Sequence, residues 1–137
     1  EGLAVVGIDP LAVDVTETDW NVGAYDAIYN SNLIHISPWV CCLGLLAGAR
    51  RHVRPGGRLI IYGPFRIGGE HTAPSNRAFD EDLRSRDPSW GVRDLEAVAD
   101  AAEAIGRDYF EISGIEPAIY ESRPARGAHV LSRSEEQ

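Results

Sequence analysis

The chain has 137 residues, 44% of them hydrophobic and 25% charged, a composition typical of one globular domain with its own core. Its formal net charge of -8 argues against non-specific binding to nucleic acid or to an anionic membrane, because both partners are bound through basic surfaces. No apolar run of about 18 residues and no signal-peptide pattern is present, so we expect a cytoplasmic protein that binds a small-molecule substrate.

Two short runs of β-branched and aromatic residues, each bounded by polar turns, predict strands at residues 11–15 and 25–30. The second run is apolar enough to be buried on both faces of a sheet. Ser37 is a favourable N-cap and Pro38 suits the first helical turn, so a helix is predicted from Pro38 to about His52.

The adjacent residues Cys41 and Cys42 lie within this helix and are interpreted as buried thiols. Neighbouring cysteines do not supply the spaced ligands of a zinc site, and no metal site is predicted. Residues 54–57 are predicted to end the helix, and the apolar run at 58–63 is typical of a strand covered by helices on both sides. Strand, helix and strand in this order favour a parallel crossover.

Residues 64–93 are rich in glycine, proline and polar residues and predict a long lid-like loop, with a short helix near residues 78–85. Asp94 is then predicted to cap a helix that runs to Ile105 and stops at Gly106. Residues 109–115 and 128–133 are interpreted as a closing pair of antiparallel strands, and residues 134–137 as a frayed tail. The predicted class is α/β, with a Rossmann-like, mostly parallel sheet.

Each predicted parallel strand carries polar residues where it ends, and ligands of α/β sheets bind beyond the carboxyl ends of the strands. Asp14 ends the first strand, Asn30, Ser31 and Asn32 end the second, and Tyr62 ends the third. The alternative is that Asn30 and Asn32 only satisfy backbone groups of the loop.

Five stretches, "DVTETDW", "NSNLIHISPW", "RPGGRLIIYGPF", "SNRAFDEDLRSRDPSWGVRD" and the helix ending at Gly106, resemble the methyltransferase-like 26 family. This family has the class I S-adenosylmethionine-dependent methyltransferase fold. The resemblance implies that residues 1–137 are a single partial domain, truncated on its N-terminal side, whose Gly-rich cofactor loop lies upstream. We therefore expect this chain alone to bind S-adenosylmethionine weakly or not at all, and to be inactive.

The resemblance also implies roles for single residues. Asp14 and Val15 lie where this fold meets adenine, and Asn30, Ser31 and Asn32 lie near the amino-acid end of the cofactor. His35 and Asp80 are the candidate bases. Both have simpler interpretations, since a histidine at a helix start is often structural and Asp80 forms an i,i+4 pair with Arg84. The candidate substrate-binding residues are Tyr62, Asn76, Arg86, Trp90 and Arg93, and those in the loop are equally explained as a surface ion-pair network.

The function expected from this resemblance is the transfer of a methyl group from S-adenosylmethionine to a small acceptor. The alternative is a methyltransferase-like protein that binds a partner or metabolite without catalysis. Half of a nucleotide-binding oxidoreductase is a third possibility, because Asp14 has the chemistry to hold a ribose, although no phosphate-binding loop is visible.

Overall fold

The computed structural model describes residues 10–113, and the side chains of residues 10–106. This part of the chain is an α/β structure with a two-stranded sheet and three helices. In chain order the elements are β1 (Tyr25–Ser31), α1 (Trp39–His52), β2 (Val53–Tyr62), α2 (Pro74–Arg86) and α3 (Leu95–Ser113).

The two strands are parallel neighbours joined by α1, which confirms the predicted crossover. Ile28 pairs with Leu59 and Ser31 pairs with Tyr62, so the carboxyl ends of both strands lie at one edge. β2 begins at Val53, and the four residues predicted to separate helix and strand therefore belong to the strand. The pairing shifts register between Tyr25 and Ala27.

The core lies between the sheet, α1 and α3. Its buried apolar members are Ile34, Cys42, Leu45, Leu46 and Val98, and the partly buried residues packed on them include Leu59, Ile61 and Ile105. Alternation along a strand sends successive side chains to opposite faces, and here only one face of the sheet meets this core. Tyr29, Ile60 and Tyr62, on the other face, are about half exposed or more. The prediction that these strands are buried on both faces is therefore wrong for the described residues.

The predicted strand at residues 11–15 is also wrong. Residues 10–14 have no regular structure, residues 15–18 turn, and Leu11 is 66% exposed. A strand without a neighbour has no partner for its backbone groups, and a local turn uses them here. One oxygen of the Asp14 carboxylate accepts hydrogen bonds from the Thr16 backbone N–H and hydroxyl, at 2.9 and 2.7 Å.

After this turn the chain packs closely along α1. The Trp20 indole covers Gly48 and stacks on the His52 ring, with ring centroids 4.9 Å apart, and its Nε1 donates to the Val15 carbonyl oxygen at 3.2 Å. A Cβ on Gly48 would overlap the indole ring. Glycine therefore permits a close approach between a loop and a helix at this position.

We expect Gly48→Ala to lower the free energy of unfolding by about 1–3 kcal/mol, because overpacking outweighs the gain of about 1 kcal/mol in helix propensity. Urea unfolding monitored by circular dichroism measures the change. Gly23→Ala is the matched control, since no described atom lies within 4 Å of a Cβ there. Equal stability of the two variants would contradict the packing described for Trp20.

The helix predicted near residues 78–85 within the long loop is present but longer, since α2 has 13 residues and starts with Pro74 in its first turn. A proline there lacks only an N–H that the helix does not use. α1 also starts differently from the prediction, because Pro38 is its N-cap, and the Ser37 hydroxyl instead donates to the Leu33 carbonyl oxygen at 2.5 Å.

α3 runs through Gly106 to Ser113, so the predicted stop at Gly106 is wrong, and so is the strand prediction over residues 109–113. A glycine ends a helix by adopting positive φ, and Gly106 is not among the described glycines that do so. Residues 114–115, the predicted strand at 128–133 and the tail at 134–137 lie outside the described residues. Within residues 10–113 none of the helices combines the length and the apolar character required to cross a membrane.

Candidate ligand site at the carboxyl edge of the sheet

The chain leaves β1 through a tight turn of residues 32–37, the His35 turn. Asn32 adopts a left-handed conformation with φ of 62°, and its N–H donates to the Tyr62 carbonyl oxygen at 2.9 Å. Its own carbonyl oxygen accepts the N–H groups of His35 and Ile36 at 3.0 and 3.1 Å. Asparagine tolerates this conformation better than most residues, which explains its presence immediately after the strand.

His35 is completely buried at the centre of this turn. Its Nδ1 accepts the Arg93 backbone N–H at 3.0 Å, and its carbonyl oxygen accepts the Gly91 N–H at 2.9 Å. The ring meets Phe65 edge-on, with centroids 4.9 Å apart. Its Nε2 faces Gly63, where a Cβ would overlap it, and makes no hydrogen bond to the described residues. His35 thus joins the His35 turn to both β2 and the segment before α3.

Burial, reinforced by the nearby positive charge of Arg93, lowers the pKa of His35 to about 4. The imidazole is therefore neutral near pH 7. Since Nδ1 accepts a hydrogen bond, the ring proton is on Nε2. His35 is then a hydrogen-bond donor towards Gly63, and this geometry does not favour the predicted role as a base.

Asp80, on α2, also binds the segment that precedes α3. One of its oxygens accepts the Val92 N–H at 2.8 Å and Arg84 Nε at 3.0 Å, and the other lies 3.4 Å from His71 Nε2. Burial raises the pKa of this carboxyl, but hydrogen bonds from Val92 and Arg84 outweigh it and hold the pKa below its ordinary value. Asp80 is therefore ionised and already hydrogen-bonded within the protein, which suits a structural role better than a role as a base.

Arg93 completes this connection with its side chain. Its Nε donates to the Ile34 carbonyl oxygen at 3.0 Å, and its Nη2 donates to the carbonyl oxygens of Ser37 and Ser89, both at 2.8 Å. The guanidinium also lies over the Trp39 ring, 5.7 Å from the centroid. Arg93 therefore holds the His35 turn against residues 89–93.

A pocket of about 190 Å³ opens beside Arg93, between α1, α2 and the start of α3. It is lined by Trp39, Arg66, Arg84, Val92, Arg93, Asp94 and Ala97. A larger pocket of about 540 Å³ is formed by the loop before β1 and the end of α1. That pocket is at the amino end of the strands, whereas ligands of α/β sheets bind at the carboxyl end, so we assign the candidate site to the smaller one and the edge beside it.

The predicted cofactor residues lie in two places. Asn30 Nδ2 donates to the Ile60 carbonyl oxygen at 3.2 Å, while the Oδ1 atoms of Asn30 and Asn32 are buried and accept no hydrogen bond from the described residues. Ser31 is exposed beside them. Val15 and the exposed Asp14 instead belong to the turn that packs on α1 at Gly44.

The predicted substrate residues are similarly divided. Arg93 lines the small pocket, and the exposed Tyr62 lies at the carboxyl edge. The described contacts of Asn76 are local, to Thr72 Oγ1 at 2.9 Å and to the carbonyl oxygen of Ala73. Arg86 forms an exposed i,i+4 pair with Asp82 at 3.0 Å, and the Trp90 N–H donates to the Asp87 carbonyl oxygen at 3.0 Å.

The structure thus brings together Asn32, His35, Asp80 and Arg93, and leaves Arg86 on the surface. Sequence reasoning missed Arg66, which pairs with Asp94 at 3.1 Å, and His71, which contacts Asp80. Neither belongs to a motif, so no local signal pointed to them. Gly63 is the last residue of a predicted strand, but its contact with His35 depends on how two distant segments pack.

Comparison with known proteins gives a family match but no structural one. A family model described as a protein of unknown function (DUF938) matches residues 4–113. No solved structure matches the chain.

Proposed function

We propose that this chain, which belongs to the DUF938 family, acts in an S-adenosylmethionine-dependent methyltransferase with a Rossmann-like sheet and methylates a small acceptor. The observation that carries the proposal is the polar turn at the carboxyl edge of a parallel strand–helix–strand unit. That edge is where open α/β sheets bind nucleotides and related cofactors.

The orphaned polar atoms at this edge fit the amino-acid end of S-adenosylmethionine. An ammonium group needs acceptors, and the Oδ1 atoms of Asn30 and Asn32 are buried acceptors without partners among the described residues. A carboxylate needs a donor, and His35 Nε2, buried next to Gly63, carries a proton that no described acceptor receives. Buried polar groups left without partners are costly and often mark ligand sites.

Asp14 suits the adenine end of the cofactor in a similar way. The described hydrogen bonds to its carboxylate all use Oδ1, so Oδ2 is left to accept from an exocyclic amine.

When bound, the cofactor supplies a methyl group on a sulfonium that is ready for in-line displacement. The residues of this chain then have only to orient the acceptor and exclude water. His35 is neutral with a protonated Nε2, and the Asp80 carboxylate is engaged by Val92 and Arg84. Since neither is free to take up a proton, we propose that both are positioning residues and that the acceptor arrives already nucleophilic.

Replacement of Asn32 tests the proposed cofactor site. In the natural protein we expect Asn32→Ala to weaken binding of S-adenosylhomocysteine, measured by calorimetry, by about tenfold, the value of one hydrogen bond to a charged group. Asn21→Ala is the matched control, because Asn21 also has a left-handed backbone, with φ of 54°, but lies before β1. Equal affinity of these two variants would exclude Asn32 from the site.

A non-catalytic binding protein is the second candidate. It is favoured by the engagement of His35, Asp80 and Arg93 in hydrogen bonds within the protein, which leaves neither His35 nor Asp80 free to act as a base. Transfer of a labelled methyl group from S-adenosylmethionine to small acceptors distinguishes the two. Tight cofactor binding without transfer to any acceptor would support the second candidate.

A further inference from the structure

The small pocket beside Arg93 concentrates positive charge in an acidic protein. Three arginines line it, Arg66, Arg84 and Arg93, while Asp94 is the only acidic residue among the described residues of its lining. The Asp80 carboxylate lies behind Arg84 and pairs with it at 3.0 Å. These described residues, three arginines and two aspartates, carry a net positive charge.

Each of the three guanidinium groups retains donors that the described contacts do not use. Arg66 contacts Asp94 through Nε and Nη2, at 3.1 and 3.2 Å, and Arg84 contacts Asp80 through Nε alone. Arg93 uses Nε and Nη2 for the carbonyl oxygens. Both Nη atoms of Arg84, and Nη1 of the other two, are therefore left for a ligand.

The positive groups also oppose one another. Burial lowers the pKa of Arg93, and the positive charges of Arg84 and Arg66 lower it further, against opposing effects of Cys42 and Asp80. An anion in the pocket relieves this repulsion. Guanidinium forks match the planar geometry of a carboxylate and bind it through two hydrogen bonds.

The remaining walls are apolar, formed by Trp39, Val92 and Ala97. The volume of about 190 Å³ is below the range of about 300–1,000 Å³ typical of pockets for drug-sized ligands. A carboxylate attached to a flat ring or a short chain fits the charge, the apolar walls and the volume of this pocket. Its apolar body would contact Trp39, and its charge would bind the guanidinium groups.

We propose that this pocket binds a small carboxylic acid with an aromatic or apolar body. Binding itself goes beyond the methyltransferase proposal and does not depend on it. A second inference, that this acid is the methyl acceptor, does rest on the proposed methyltransferase function. A carboxylate oxygen then forms a bond to the methyl carbon as the carbon–sulfur bond breaks. The electron pair of the broken bond goes to sulfur. Because no proton is released, no base is needed.

The ligand arm of the test uses benzoate, its neutral analogue benzamide and phenyl phosphate, titrated into the natural protein and followed by calorimetry. We expect saturable binding of benzoate that is at least about tenfold tighter than that of benzamide, the value of a charge-assisted hydrogen bond. Absence of benzoate binding, or equal binding of benzamide, overturns the proposal. Tighter binding of phenyl phosphate than of benzoate overturns the assignment to a carboxylate.

The variant arm uses pairs on the same helix. Arg84→Gln should weaken benzoate binding about tenfold or more, whereas Arg86→Gln, two residues along α2 and outside the pocket, should leave it unchanged. Ala97→Glu places a carboxylate at the exposed rim of the pocket and should abolish binding, whereas Ala104→Glu, also exposed on α3, should not. Wild-type binding in folded Arg84→Gln and Ala97→Glu overturns the proposal.

Titration of S-adenosylhomocysteine alongside benzoate separates this pocket from the methyltransferase proposal. Benzoate binding without any binding of S-adenosylhomocysteine retains the pocket and overturns the acceptor role. Cofactor binding without benzoate binding overturns the pocket and leaves the methyltransferase proposal in place.

Discussion

Asp80→Ala should lower the free energy of unfolding by about 3 kcal/mol, one of the largest effects that we expect from a single substitution in this chain. The carboxylate is buried, and its removal leaves the Val92 N–H without an acceptor, and Arg84 and His71 without their partner. Urea unfolding monitored by circular dichroism measures the loss.

Asp82→Ala is the control for this prediction. Asp82 is on the same helix, also pairs with an arginine four residues later, and is half exposed, so its pair is worth less than about 1 kcal/mol. If the two variants unfolded at the same urea concentration, Asp80 would be an ordinary surface ion pair and could not fix the segment of residues 91–93.

Acid should destabilise the fold through His35 by about 3 kcal/mol between pH 6.5 and 4. The pKa of His35 is about 4 in the folded protein and 6.5 in the unfolded chain, so the unfolded state binds the extra proton over this range. Stability therefore falls as the pH falls through this range, and this contribution is constant above it.

His35→Asn isolates this effect from the titration of the carboxylates. The side-chain oxygen of asparagine is able to replace Nδ1 as the acceptor of the Arg93 N–H, but it does not titrate. The stability difference between wild type and variant should be constant above pH 6.5 and shrink towards pH 4. A difference independent of pH would show that the imidazole is not buried as a neutral group.

The sequence was sufficient to predict the parallel unit of β1, α1 and β2. This unit has a clear apolar period and short connections, and its pairing follows from the order of the elements. Asn32 was also predicted at the correct edge. The reason for its presence was not predicted, because a left-handed φ is not visible in the sequence of a short polar turn.

The errors arose where tertiary packing overrides local preference. Gly106 resembles a helix stop, yet α3 continues through it, and Gly106 is a buried residue of that helix. Residues 11–15 have strand propensity but find no neighbour among the described strands. The link between His35 and Arg93 joins positions 58 apart in sequence, and no local pattern reports such a contact.

The connection between His35 and Arg93 also has a consequence for the order in which the protein folds. Contacts between distant residues form only after the intervening chain has been closed into a loop, which costs entropy before it returns any stability. β1 and β2 pair across a shorter loop, because paired residues such as Ile28 and Leu59 are 31 positions apart (59 − 28), so their closure costs less entropy. The amides of Gly91, Val92 and Arg93 are therefore expected to gain protection from hydrogen exchange later than those of β1 and β2, and together, as one cooperative unit.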